Sequence, residues 1–332
     1  MKVVQITGER QVQVVDYPEP KASKDQVVVK IHAAPMCCEY KDFKKGNNYC
    51  LGHEASGEVV EIAQPGKVKV GDRVVVMPQN PCGSCALCLA GDYIHCQHCI
   101  DMGKTWTGTY GQFVPKTDWL LVPIPDGVSY DHAAMACCGL GPTFGAMEAM
   151  NVGAFDTVLI TGMGPVGLGG VINGVYRGAK VIAVESQPYR ANLAKSLGAS
   201  AVVDPTDPQS AKNIMDLTGG LGVDKCIDCS GAPTAQRLLV DCARRRGEVS
   251  FVGEAGELTL HVGNDLLRKG LTLRGIWHYN RAGTTRIMKI IRECPDAMDK
   301  LITHRFPLSR VREAFELQIT GNCGKMILQP WV

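Results

Sequence analysis

Neither sign of charge dominates this chain: 35 lysines and arginines face 33 aspartates and glutamates over 332 residues, a net charge of +2. That balance excludes the electrostatic footprint of a nucleic-acid binder or an anionic-membrane binder. Long apolar runs are also missing, and no stretch approaches the roughly 18 consecutive apolar residues of a membrane-crossing helix. The opening MKVVQITGER alternates apolar and polar residues, so a strand is expected there and not a secretion signal. Internal repeats and low-complexity linkers are absent. With 45% hydrophobic and 20% charged residues, the remaining class is an ordinary soluble chain of about two domains.

Cysteine, by contrast, is plentiful. There are 15, an odd number in a chain large enough to build a core without disulfide staples. Without an export signal, a cytoplasmic location and metal ligation are expected in place of a disulfide framework. Cys82, Cys85, Cys88 and Cys96 have the spacing C-x2-C-x2-C-x7-C within CGSCALCLAGDYIHC. Four thiolates so close in sequence suit one tetrahedral zinc. An iron-sulfur run would end with a shorter gap and a proline after the last cysteine, where Gln97 stands. With all four positions filled, the metal would order a lobe (82–96) and take no part in chemistry, contributing binding free energy on the order of 10 kcal/mol to local folding. His95, His98 and Cys99 read as bystanders. The pairs Cys37-Cys38 and Cys137-Cys138, with His53, are dispersed, and their spacing does not distinguish ligands from small core residues.

To about residue 150 the chain is a succession of short β-branched runs, such as Val27 to Ile31, Gly57 to Ile62 and Arg73 to Met77, which predict an antiparallel β domain. From about Asp156 strands and helical patterns alternate. Predicted strands are Thr157 to Thr161, Lys180 to Val184, Ala201 to Val203, Lys225 to Cys229 and Glu248 to Val252, with helices over Pro188 to Leu197 and Thr234 to Ala243. Such repetition predicts a doubly wound parallel sheet, hence an α/β chain. The tail from about Thr284 holds two helical patterns and a last strand, Lys325 to Leu328, that can return to the first domain.

Between the first strand and helix of the second domain lies Gly162-Met163-Gly164-Pro165-Val166-Gly167, a G-x-G-x-x-G turn. Its glycines allow a tight turn, backbone approach to a pyrophosphate and close helix-strand packing, while the helix N-terminus offers free N–H groups. The next strand ends at Glu185, 23 positions after Gly162, where an acid binds adenosine ribose hydroxyls. Beside a 2′-phosphate that carboxylate would meet a like charge, a repulsion of about 4 kcal/mol at an effective dielectric near 20. NAD is therefore expected over NADP. Arg190 is placed over the adenine or ribose, or alternatively on a phosphate.

Taken together, Gly52-His53-Glu54 leading into Gly57-Glu58-Val59, Val70-Gly71-Asp72-Arg73-Val74, the four-cysteine lobe, Gly111-Gln112-Phe113, the glycine turn and the ending Gly324-Lys325-Met326 resemble the zinc-containing medium-chain dehydrogenase/reductase family, which includes alcohol, polyol and threonine dehydrogenases. The resemblance covers essentially the whole chain. It implies a GroES-like β catalytic domain (1–150), a Rossmann domain (151–285), a C-terminal segment (286–332) rejoining the first domain, and an active site in the cleft between them. It also implies a second, catalytic zinc. Cys37 matches the family's first ligand, which opens a short helical segment ending nine residues later at a glycine, here Gly46. His53 matches the second ligand, and Glu54 the acid behind it. Cys138, six positions before Phe144, matches the third ligand of alcohol dehydrogenases. The implied chemistry is hydride transfer between a secondary alcohol on a polyol, cyclitol, sugar or amino-alcohol and NAD, in a homodimer or homotetramer joined through the Rossmann domains.

One segment departs from the family pattern. Where a serine or threonine starts the proton relay, this chain has Glu39, followed by Tyr40, and Asp42 replaces a histidine common in the family. Glu39 is expected as general acid/base; the alternatives make it a zinc ligand or substrate binder, with Tyr40 carrying the proton. The competing readings of the chain are a zinc-free quinone or alkene reductase on the same fold and a non-catalytic zinc-binding relative. The first lacks a use for the combination of Cys37, His53 and Cys138.

Overall fold

A computed structural model describes residues 1–47, 51–99, 108–254 and 256–332. They form two compact units, one of residues Met1–Gly139 with Asn280–Val332 and the other of Leu140–Tyr279.

The first unit opens with an antiparallel hairpin of β1 (Lys2–Gly8) and β2 (Gln11–Asp16). Its main sheet is built on β3 (Gln26–Pro35), β4 (Ala55–Glu61), β5 (Arg73–Val76), β6 (Phe113–Thr117) and β7 (Leu121–Pro123). Val29, Ile31, Val59, Val74 and Leu121 are fully buried, and each such side chain contributes about 1.5–3 kcal/mol of burial free energy.

In the second unit, β8 (Thr157–Thr161), β9 (Lys180–Val184), β10 (Ala201–Val203), β11 (Val223–Asp228), β12 (Ala243–Phe251) and β13 (Thr272–Gly275) pair in parallel in the order β10-β9-β8-β11-β12-β13. The order reverses between β8 and β11, the arrangement of a Rossmann sheet. Leu159, Ile182, Cys226, Leu239, Cys242 and Val249 form the core on one side of it. Cys226 and Cys242 are buried as small core residues, whereas Cys229 lies just past β11 and is partly exposed.

The tail then adds β14 (Ile302–Pro307) and β15 (Lys325–Gln329) to the first unit's sheet, whose order is β14-β15-β3-β4-β5-β7. The ten-residue β3 holds β6 along its first half and β15 at its end, through Ala34 and Pro35. Three helices lie in this tail, Thr284–Glu293, Pro295–Leu301 and Val311–Thr320, where the sequence pattern suggests two.

The division between units falls at 139/140, ahead of the boundary expected at 150. The helix Gly141–Ala149 packs on the helix Pro165–Tyr176, and Asn173 Nδ2 donates to Leu140 O (2.9 Å) and Thr143 Oγ1 (3.0 Å). That buried polar anchor ties the helix to the second unit. Likewise the return falls at 279/280, not 285. No helix among the described residues is long and apolar enough to cross a membrane.

Candidate functional site

Two groups of potential metal ligands stand out among the described residues, both in the first unit. In each, the ligand atoms all lie within 4.8 Å of one another. The first is the lobe. Cys82, Cys85, Cys88 and Cys96 converge, with Sγ–Sγ separations of 3.5 Å (Cys85–Cys88), 3.6 Å (Cys82–Cys96) and 3.8 Å (Cys85–Cys96). Backbone N–H groups already point at these sulfurs: Cys85 N–H donates to Cys82, and Cys82 and His98 N–H donate to Cys96, each at 3.4 Å. The N–H groups of Ser84 and Cys85 hold the Cys82 thiol down to about 6. Donors aimed at sulfur favour thiolate over thiol, as metal ligation requires. His95, His98 and Cys99 contribute no ligand atom to the group.

The second group is Cys37, His53, Glu54 and Cys138. Three separate connections bring it together. Cys37 follows β3, at the point where Pro35 ends it. His53 and Glu54 immediately precede β4, and Cys138 sits just before the helix Gly141–Ala149. His53 Nε2 is 3.3 Å from Cys138 Sγ. The geometry separates the two cysteine pairs: Cys38 is exposed, and Cys137 is buried with its Sγ directed at Val76 O (3.4 Å). The Cys37 thiol is held well below its ordinary value by hydrogen bonds from the Cys138 and Cys38 thiols and by the Lys325 charge, against burial.

Charged side chains surround this group. Glu54 is fully buried; its Oε2 accepts from Cys138 N–H (2.9 Å), and its Oε1 accepts from Lys325 Nζ (2.6 Å). Burial pushes the Glu54 carboxyl up to about 7, with Lys325 opposing. Burial pulls the Lys325 ammonium down, but Glu54 and the two thiols outweigh it and keep the lysine charged. Glu39 is buried as well. Its Oε1 lies 2.8 Å from His53 Nδ1, and its Oε2 accepts from Tyr110 O–H (2.8 Å) and Cys37 N–H (3.0 Å). Burial lowers the affinity of the His53 imidazole for a proton, but the Glu39 and Cys37 charges outweigh this and raise it well above its ordinary value.

Glu39 thus reaches the group. Tyr40 opens the short helix Tyr40–Lys45, and its ring packs, partly buried, against the apolar core. Asp42, from the same helix, accepts from Asn47 Nδ2 (3.0 Å). Gly46 ends this helix in the left-handed conformation at φ 73°. Three residues not singled out from the sequence complete the surroundings: Tyr110, Lys325 and Gln318, whose Nε2 donates to Cys37 O (2.6 Å). Only Lys325 lay within a sequence marker, Gly324-Lys325-Met326.

In the second unit, Gly162 adopts φ 81°, and a Cβ on Gly167 would lie 1.9 Å from Gly162 O, so both positions require glycine for the fold itself. Gly164 differs: a Cβ there would meet nothing within 4 Å. It is the N-cap of the helix Pro165–Tyr176, which has no side-chain cap, so the first-turn N–H groups of Val166 and Gly167 have no partner within the helix. Glu185, past the end of β9, accepts from Met163 N–H (2.8 Å) and Gln187 N–H (2.9 Å), which sets its carboxylate beside the glycine turn. Arg190 lies in the next helix, Pro188–Ser196, two residues in from its proline.

A GroES-like unit with two thiolate groups and a Rossmann unit with an uncapped glycine turn define the alcohol-dehydrogenase class of architecture. Comparison with known proteins agrees. A model of the alcohol dehydrogenase GroES-like domain matches residues 23–126, and a model of zinc-binding dehydrogenases matches residues 165–294. The L-threonine 3-dehydrogenase of Bacillus licheniformis is 30% identical over 328 residues, covering 94% of each chain. The D-arabitol-phosphate dehydrogenase of Enterococcus avium is 30% identical, covering 98% of this chain and 96% of its own. Among solved structures, the 2R,3R-butanediol dehydrogenase of Bacillus subtilis superposes with a TM-score of 0.87 at 26% identity, covering 99% of both chains. The chain belongs to the zinc-type medium-chain dehydrogenase family.

Proposed function

We propose that this protein is an NAD-dependent zinc dehydrogenase that oxidises a secondary alcohol on a polyol, cyclitol, sugar or amino-alcohol. The observation that carries the reading is the convergence of Cys37, His53 and Cys138 within 4.8 Å of one another and of Glu54. The donor set fits zinc: two thiolates and one imidazole, with a carboxylate behind them. Cys82, Cys85, Cys88 and Cys96 fit a second, structural zinc with no position left for substrate. When bound at the first set, zinc supplies Lewis-acid polarisation of a substrate oxygen, and NAD supplies the hydride acceptor.

The chain's own residues do the rest. The Cys37 thiol is shifted toward thiolate by hydrogen bonds from its sulfur neighbours and by the Lys325 charge. Glu54 holds the Cys138 backbone and is itself anchored on Lys325, so the third ligand is tied to the tail of the chain. Glu39 has Oε2 held by Tyr110 and Cys37, which leaves Oε1 buried 2.8 Å from His53 Nδ1 with no other partner among the described residues. That arrangement suits a carboxylate that orients the imidazole better than a base free to swing onto a substrate. Gly162, Gly164, Pro165, Val166 and Gly167 would receive the pyrophosphate on backbone N–H groups. Glu185 would accept from the ribose hydroxyls, which favours NAD over NADP, and Arg190 would cover the adenosine end. Homodimers or homotetramers in the cytoplasm complete the reading.

Metal analysis together with a substrate panel tests it. Two zincs per chain and NADH formation with a polyol, cyclitol, sugar or amino-alcohol are expected. One zinc with no hydride transfer to any alcohol would instead identify a non-catalytic relative.

A further inference from the structure

Tyr110 is fully buried, so its phenol O–H must find its acceptor inside the protein, and that acceptor is Glu39 Oε2 at 2.8 Å. The connection between Cys37 and His53 and the segment before β6 build this contact jointly. Thr109 N–H donates to Gly52 O (3.1 Å) and Tyr110 N–H to Leu51 O (3.0 Å), which lays the tyrosine against the residues leading into His53. Gly52, at φ 82°, makes the room: a Cβ there would stand 2.4 Å from Tyr110 Cδ1. On its other side the ring lies against Phe315, with centroids 6.3 Å apart. The position of the phenol oxygen is therefore set by packing and backbone pairing, independently of Glu39.

We propose that Tyr110 is a positioning residue for His53 and acts through Glu39. An ionised carboxylate only accepts hydrogen bonds. With Oε2 held by Tyr110 O–H and Cys37 N–H, Oε1 stands 2.8 Å from His53 Nδ1 and has no other partner among the described residues, so a carboxylate held there favours the ring proton on Nδ1. Nε2, on the side of Cys138 Sγ at 3.3 Å, is then the nitrogen that serves as metal donor. Without the phenol oxygen the carboxylate keeps one backbone donor and is free to rotate, and the imidazole loses its fixed partner. The inference rests on the assignment of Cys37, His53 and Cys138 as a zinc site.

The substitution Tyr110→Phe keeps the ring that fills the space beside Gly52 and removes only the oxygen. In chelator competition on the zinc-loaded protein, one of the two zincs is expected to bind about 10–100-fold more weakly while the other is unchanged. In cobalt-substituted protein the visible absorption of that same site should change. Glu39→Gln should weaken the same metal, and adding Tyr110→Phe to it should cost nothing further, because both act on one ring. A purely structural tyrosine would lower thermal stability while leaving affinity and cobalt spectrum as in the wild type; either of these two metal-site results overturns the proposal. Should Tyr110→Phe not fold, Glu39→Gln decides alone, since full metal affinity in that variant removes the link on which the tyrosine acts. A wild-type protein holding only the lobe zinc defeats the zinc reading itself, whereas two zincs with an unaltered Tyr110→Phe variant defeat only the positioning role.

Discussion

The two thiolate groups of the first unit use similar donors at similar spacing but are built in opposite ways. The lobe draws all its sulfurs from residues 82–96 and steadies them with its own backbone N–H groups. The other group draws Cys37, His53 and Cys138 from three connections and steadies them with side chains from other segments: Tyr110, Gln318 and Lys325. The lobe is ringed by neutral donors, and the dispersed group by Glu39, Glu54 and Lys325. A site that only has to hold a metal can be local and neutral. One that has to present a metal to a substrate needs ligands fixed from several directions and charges that set their protonation.

The comparison breaks most visibly if the lobe is opened. Replacing Cys88 with alanine should remove one zinc per chain and, with it, up to roughly 10 kcal/mol of binding free energy coupled to local folding. Proteolysis within the lobe and a lower melting temperature would report this; an intact lobe without metal would show that the thiol cluster orders itself. Replacing Cys138 with alanine should do the reverse, leaving the lobe zinc and the fold in place while NADH formation falls by on the order of 10³-fold or more, beyond the 10–100-fold typical of outer contacts. If both zincs depart together, the two sites are not independent.

Lys325→Met addresses what steadies the dispersed group. It removes the partner of a carboxylate that is itself fully buried, and breaking one side of such a pair costs about 3–5 kcal/mol. Denaturant titration would read this directly. A loss under 1 kcal/mol would mean that the Cys138 N–H alone suffices for Glu54. In the other unit, Glu185→Ala should weaken NAD by about tenfold, one lost charge-assisted hydrogen-bond partner, and narrow the preference over NADP. Unchanged relative affinity would move the discrimination to Arg190.

Much of this was legible in the sequence, and the contrast between the two sites explains what was not. The spacing C-x2-C-x2-C-x7-C carries the lobe because its ligands are neighbours along the chain. Strand limits such as Thr157–Thr161, Lys180–Val184 and Ala201–Val203 coincide with the predicted ones because apolar runs bounded by turn residues are local signals. Residues Cys37 and Cys138 became candidates only through the family resemblance. Tyr110 had no local signal at all: its partner Glu39 is 71 positions away, and nothing in the periodicity around either residue announces the other. Tyr40 stands next to Glu39 in the sequence, yet its ring packs against the apolar core, a contact that adjacency along the chain does not reveal.

Two buried lysines sharpen the same contrast at a smaller scale. Lys325, beside the dispersed group, has a carboxylate partner. Lys116, on β6 next to the lobe, donates only to neutral acceptors, Gln79 O (2.6 Å) and Asn80 Oδ1 (2.7 Å), just ahead of Cys82. Burial pushes the Lys116 ammonium down to about 7. The folded protein then gives up this proton near pH 7, while the unfolded chain keeps it to about 10.5, so between these values the unfolded state binds more protons and stability rises with pH. The gain from this residue is at most about 1.4 kcal/mol per pH unit, and no slope from it remains below pH 7, where both states are protonated. Chemical denaturation of wild type and Lys116→Met at pH 7 and pH 8.5 isolates it: the difference between the two proteins should shift by about 1–2 kcal/mol in favour of the wild type at the higher pH. A pH-independent difference would show that Gln79 and Asn80 hold the charged form, and that neutral acceptors steady an ammonium there as well as Glu54 does beside the other site.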